Sequence, residues 1–426
     1  MRKHVQSLIG FFTLAILILA CALPVPSAGS PTQSGETEIV PASPDANAVG
    51  TVVAMTLAAL APGVNTPAAP ATSPTPIDTT ISLPHTLYYL ATDSAGIIQV
   101  FRIEKDGTTR HQITSEAVNV GAYDVSPVDG GVAYVSNNHL YYANPDGSER
   151  RILLNGGEVD TNNPFMSTVS SPVFSPDGQT IAYGYKGLQI YSFVSDESHL
   201  IIKNQIDDVS GLLVPKELYS PERYSPDGSK LLITLGYYES ASSAIYSPAT
   251  GDLVRLDGGE GAVLCCDDVE WSFDSASIYA ASPTVGMFNS GMWKIDAATG
   301  KVTTLIQAEV GGGTYNLVDE AYLAPDGQLY FFFATASISQ SEGAITRSPL
   351  QPYRSKPDGV TDRTLLNQQS FELLNEALWA PNASFVVVTL APAREIYDEG
   401  QAEIVYFDGR PNAVLVPSAQ QLKWGP

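Results

Sequence analysis

Between residue 85 and the carboxyl end, apolar residues gather in short runs rather than at helical spacing. The runs Val132 to Val135, Ile181 to Tyr183, Leu231 to Ile233, Ile278 to Ala280, Leu329 to Phe333 and Phe385 to Val388 are rich in β-branched and aromatic residues. Their length and composition predict buried strands. A polar corner precedes each run: Val125-Ser126-Pro127, Phe174-Ser175-Pro176-Asp177-Gly178, Tyr224-Ser225-Pro226-Asp227-Gly228, Trp271-Ser272-Phe273-Asp274, Leu323-Ala324-Pro325-Asp326-Gly327 and Trp379-Ala380-Pro381-Asn382. A seventh corner, Trp424-Gly425-Pro426, ends the chain. The corners recur about every fifty residues, the period of a β-propeller blade.

Each corner has a physical logic. Proline holds the residue before it extended and presets its own φ, Asp or Asn bonds the turn backbone, and Gly supplies a positive φ. The large apolar residue before each corner is placed to pack between neighbouring sheets. A second hairpin follows in the repeats, turning at Asp106-Gly107, Asp146-Gly147, Thr250-Gly251, Thr299-Gly300, Asp358-Gly359 and Asp408-Gly409; the repeat after Phe174 has Asp196-Glu197 instead. Two hairpins make a four-stranded antiparallel blade. The first repeat begins at a second-strand sequence, Thr86 to Ala91, without a corner, whereas the chain stops at a corner without a second strand. Each end supplies what the other lacks, so residues 420–426 are expected to form the innermost strand of blade one. The predicted fold is all-β: a seven-bladed β-propeller over 85–426, closed by the C-terminal strand.

The segments 174–183 and 224–233 resemble the repeats of TolB-like, or WD-like, propellers. That resemblance implies a binding scaffold or an accessory domain of a peptidase. It is specific for fold and weak for function. The sialidase Asp-box, with a residue between its Asp and Gly, does not match.

The amino-terminal fifth of the chain is different. Arg2, Lys3 and His4 precede an apolar run from Leu8 to Ala20 that is too short to span a membrane and stops at Cys21. The ending Ile18-Leu19-Ala20-Cys21 resembles a bacterial lipobox, with residues 1–20 as signal peptide and Cys21 as lipid attachment site; cleavage after Ala28 is the alternative. Residues 21–84 hold many Pro, Ala, Ser and Thr and, from Ala22 onward, no aromatic residue, Lys or Arg. Such a composition predicts a disordered tether. A short helical pattern at Val49, Val52, Val53, Leu57 and Leu60 interrupts it. The expected location is the extracytoplasmic face of a bacterial membrane, with the lipid bilayer as a partner through Cys21.

Charge narrows the partners. The chain carries 45 acidic against 22 basic residues, a net charge of -23. That field disfavours nucleic acid and anionic lipid headgroups and favours cations or basic surfaces. No Gly-x-Ser-x-Gly elbow, phosphate-cradling loop or His spacing for a metal occurs, so no catalytic residue, cofactor or firm metal site is predicted. Cys265 and Cys266, beside Asp267 and Asp268, leave three readings open: small apolar fillers, a vicinal disulfide or a weak soft-metal site.

Acids concentrate between an outer strand and the next inner one, among them Glu158, Asp160, Asp207, Asp208, Glu260, Asp267, Asp268, Asp319, Glu320 and Glu376. In a propeller these connections share a face with the loops between second and third strands, which are longer at 236–244, 282–292, 336–345 and 390–402. Tyr237, Tyr238, Phe288 and Tyr397 lie in those loops and, with Glu260, Asp267 and Asp268, are the binding candidates. The opposite face, built from tight turns, is expected to offer few protruding side chains. The reading is a monomeric, membrane-anchored scaffold for a protein, peptide or glycan. A cell-envelope hydrolase or lyase with a carboxylate site at the channel mouth is the alternative.

Overall fold

A computed structural model describes residues 81–238, 240–256, 269–284, 290–339, 344–396 and 398–426. Cys21 and residues 21–80 of the proposed tether fall outside the described residues, as do Glu260, Cys265, Cys266, Asp267, Asp268, Phe288 and Tyr397. The tether's expected last residues, 81–84, instead join the folded domain, where Leu83 is buried in the core and donates its N–H to the Lys105 carbonyl. The described chain is all-β, with one 3-10 turn at Pro164–Met166. None of its helices is long and apolar enough to cross a membrane.

Antiparallel strands form sheets built on quartets that follow the repeat. The second quartet is typical: Val120–Val125, Val132–Ser136, His139–Ala143 and Arg151–Asn155, paired in chain order. The seventh corner shows how the ends meet. The last strand, Ala413–Trp424, pairs on one side with Gly400–Tyr406 and on the other with Leu87–Thr92, in register Leu87↔Trp424 and Leu90↔Gln420.

The corners fold as their chemistry dictates. Ser175 Oγ donates to Asp177 Oδ1 at 2.6 Å, and that carboxylate accepts the Gln179 N–H at 3.0 Å. Gly178 sits at φ +68°. Ser225 with Asp227, and Ser272 with Asp274, repeat the arrangement. Where Gly is missing from the third repeat's second hairpin, Asp196 itself takes φ +58°, held by the Tyr191 hydroxyl and by Arg151 at 3.0 Å. The tight second-to-third turn at Asn137 and Asn138 has both residues at positive φ, the conformation that joins twisted strands in two residues.

The core lies between sheets. Phe174, from the third quartet, packs with Ala133, Val135 and Leu140 of the second, and Trp271, from the fifth, with Leu232 and Ile245 of the fourth. Trp379 packs against Tyr330 and Phe332, and its indole N–H donates to the Glu320 carbonyl at 2.8 Å. Burying such a ring is worth roughly 3 kcal/mol, so the residue before each corner is a main source of cohesion between neighbouring quartets.

Candidate functional site

Near its corner, the first strand of a quartet has a ladder partner on one side only, which leaves backbone N–H groups facing the preceding repeat without a strand to accept them. Carboxylates from the preceding repeat fill that role. Asp124 Oδ2 accepts the Phe174 N–H at 2.7 Å, Glu320 Oε1 the Ala377 N–H at 2.8 Å, and Glu376 Oε1 the Leu422 N–H at 2.7 Å. Part of the acidity is therefore structural: these side chains link successive first strands.

Those strands share one cavity of about 300 Å³, to which Val120–Val125, Ser170–Phe174, Leu212–Tyr224, Val269–Trp271, Thr314–Leu323, Leu374–Trp379 and Ala413–Trp424 all contribute. The bulges in these strands matter. Register shifts occur between Ser170 and Val173, Asp319 and Tyr322, and Gln420 and Lys423 where they pair with the second strands. Ser171, Glu320 and Gln421, each four residues before a corner's small residue, adopt φ of 53°, 51° and 55°. A bulge puts an extra residue on the strand and re-aims its side chain, and all three of these residues line the cavity.

Charge in the cavity follows position in the repeat. Two residues before the corners, opposite charges meet: Lys423 Nζ lies 2.8 Å from Asp124 Oδ1, and Arg223 Nη1 lies 2.5 Å from Glu270 Oε2. Burial raises the Tyr123 hydroxyl pKa well above its ordinary value, with the negative charges of Glu376 and Asp124 adding to the effect. That hydroxyl donates to the Gln421 carbonyl at 2.5 Å. The lining as a whole holds five carboxylates, Glu222, Glu270, Glu320, Glu376 and Asp398, against two cationic side chains, Arg223 and Lys423.

A second feature rises above the fourth repeat. Gln205–Val209 and Leu212–Val214 form a two-stranded ribbon before the quartet proper, with Val209 and Leu212 exposed at its tip. Below it, Arg255 grips the buried Glu217 carboxylate, Nη1 to Oε1 at 2.5 Å and Nη2 to Oε2 at 2.9 Å, and the Tyr219 and Tyr237 hydroxyls also donate to it. The Arg255 guanidinium, followed by the Tyr219 and Tyr237 hydroxyls, holds the Glu217 pKa down at about 2. In the sixth repeat Glu309–Gly311 and Ile345–Arg347 extend the sheet in the same way, exposing Val310 and Ile345.

Of the binding candidates, Tyr237 is half-buried and tied to Glu217, whereas Tyr238 is exposed. The loop expected at 236–244 is shorter than its pattern indicates, because Ala241–Tyr246 is already a strand. Asp319, Glu320 and Glu376 lie inside first strands rather than in connections, and Asp207 and Asp208 lie in the ribbon. Glu222 and Glu270, not singled out in the sequence, also reach the cavity. Their signal was an acid two or three residues before a corner, visible only once the repeats are aligned on their small residue. The corner face is not bare: Phe273 is 78% exposed, at the one complete corner where Pro is replaced by an aromatic residue, and Val194 is 80% exposed.

Fold and cavity together define an all-β protein of the propeller class. Neither a family model nor a curated protein matches the sequence. Solved structures similar to this chain include a puromycin hydrolase variant, at a TM-score of 0.50 and 13% identity over 80% of this chain and 53% of that one. They also include TolB from Acinetobacter baumannii, at 0.40 and 14% over 77% and 79%. An oligogalacturonate lyase in complex with manganese scores 0.47 at 10% identity, over 78% and 84%. At such identities the likeness concerns the fold alone.

Proposed function

We propose that the chain is a seven-bladed propeller, closed by pairing of Ala413–Trp424 with both terminal repeats, that serves as a lipid-anchored extracytoplasmic binding scaffold for a protein, peptide or glycan. The observation that carries the binding role is the raised relief of one face. The ribbon over the fourth repeat and the extended sheet of the sixth present Val209, Leu212, Tyr238, Val310 and Ile345 to solvent, on the side where inter-repeat connections run. Exposed apolar and aromatic side chains set among acids are the elements of an interface with an apolar centre and polar rim. Seven first strands lining one cavity support the blade number.

The carboxylates of the cavity support binding over acid–base chemistry. Glu320 and Glu376 accept backbone N–H groups, and Glu270 is bound to Arg223. Two experiments test the proposal. Cys21→Ser should release the protein from the membrane fraction; retention as firm as wild type contradicts the anchor. Val209→Ser, Leu212→Ser and Tyr238→Ala together should abolish capture of envelope partners at unchanged melting temperature. Undiminished capture contradicts the raised face as the docking surface.

A further inference from the structure

Among the residues lining the cavity, Gln420 stands apart. It is 97% buried, being only 3% exposed, and it lies where the last strand passes from Ala419, paired with Gly400, to the register with Leu90. Among the described residues its side-chain amide meets no hydrogen-bond partner, and its polar atoms, not being sealed off, are open to the cavity it borders. Its amide group opens on the cavity wall, where whatever occupies the cavity completes its bonding. The surroundings indicate what. Glu320, Glu376 and Asp398 border the same space, and the lining carries five carboxylates against two cations.

The geometry points to a cavity that receives an organic cation, a primary ammonium on an aliphatic stem such as a lysine side chain of the partner. Glu320 and Glu376 supply charge, Gln420 supplies a carbonyl acceptor, and Val269, Leu378 and Leu232 supply apolar wall for the stem. A volume of about 300 Å³ equals roughly ten waters at their liquid share of about 30 Å³ each, which leaves room for a butylammonium group together with bridging waters. A metal ion fits less well. It needs several oxygens converging on one point, and among the described residues no group of three or more His, Cys, Asp or Glu side chains is arranged to hold one. The inference deepens the scaffold reading and rests on it, by naming the part of the partner that enters the propeller.

The test uses cadaverine, a five-carbon diamine, titrated calorimetrically into the full-length protein at fixed ionic strength, with 1-pentanol and calcium chloride as controls. Wild type should bind one diamine saturably and bind neither pentanol nor, at the same concentrations, calcium. Glu320→Gln with Glu376→Gln keeps an oxygen for each backbone N–H but removes both charges, and affinity should fall at least about tenfold, as expected for lost charge-assisted hydrogen bonds. Gln420→Leu keeps the volume and should weaken binding about fivefold or more. It holds the test if the double variant fails to fold. Absence of saturable binding to wild type, unchanged affinity in a folded variant, or displacement of the diamine by calcium overturns the inference. Failure of the raised-face variant to lose its partner, with diamine binding intact, counts instead against the scaffold reading.

Discussion

At the corners Asp177, Asp227 and Asp274 are each used on their own turn, whereas on the raised face side chains such as Val209, Leu212 and Tyr238 are exposed. Asp177, Asp227 and Asp274 accept from a serine hydroxyl and a backbone N–H within the same five or six residues, and the pattern returns repeat after repeat. The raised face is irregular. It carries a ribbon over the fourth repeat, an extended sheet over the sixth, and only a two-residue Asn turn in the second. Periodic, self-satisfied turns serve the fold, and departures from the period mark surface available to function.

The largest effect should come from removing what joins the two terminal repeats. Deleting 420–426 strips the partner strand from Leu87–Leu90, frees the Glu376 contact to Leu422 and exposes an edge. The truncated protein should fail to give a cooperative melt, or should melt at least about 15 °C lower, well beyond the effect of a single lost contact. A melting curve equal to wild type contradicts the closure. Trp379→Ala should cost about 3–5 kcal/mol by urea denaturation, since it vacates a packed site between the sixth and seventh quartets and unties the Glu320 carbonyl.

Smaller effects separate the faces. Ser175→Ala should cost about 1 kcal/mol and leave partner capture unchanged, whereas Tyr238→Ala should leave stability unchanged and reduce capture. Glu217→Gln gives a pH-dependent version. The folded-state pKa of Glu217 is depressed to about 2 from 4.5, so its contribution is fully present above pH 4.5 and is lost as pH falls towards 2. Wild-type stability should rise with pH across that window more steeply than that of the variant. Parallel curves in acid denaturation would show that Glu217 contributes nothing through its charge.

The architecture was legible because its determinants are local and repeated. Proline, Asp and Gly at Pro176, Asp177 and Gly178 act on their own turn, and the missing glycine beside Asp196 marked the place where a non-glycine residue adopts a left-handed conformation. The cavity was less legible. Glu320 and Glu376 read as connection acids, and it took the bulges, set by register between two strands, to put Glu320 and Gln421 on the cavity wall. Tyr237 read as a docking aromatic, and only the distant Glu217 and Arg255 reveal that its hydroxyl is engaged. Such contacts join residues far apart in sequence and leave no local pattern.

The division of labour between the faces can be read in one measurement: photo-crosslinking in intact cells from a reactive side chain placed either at position 238 on the raised face or at position 273 on the corner face. Both natural residues, Tyr238 and Phe273, are aromatic and exposed, so the comparison is one of location rather than accessibility. A discrete adduct from position 238 and none from 273 is the predicted result; an adduct from 273 alone would contradict the account.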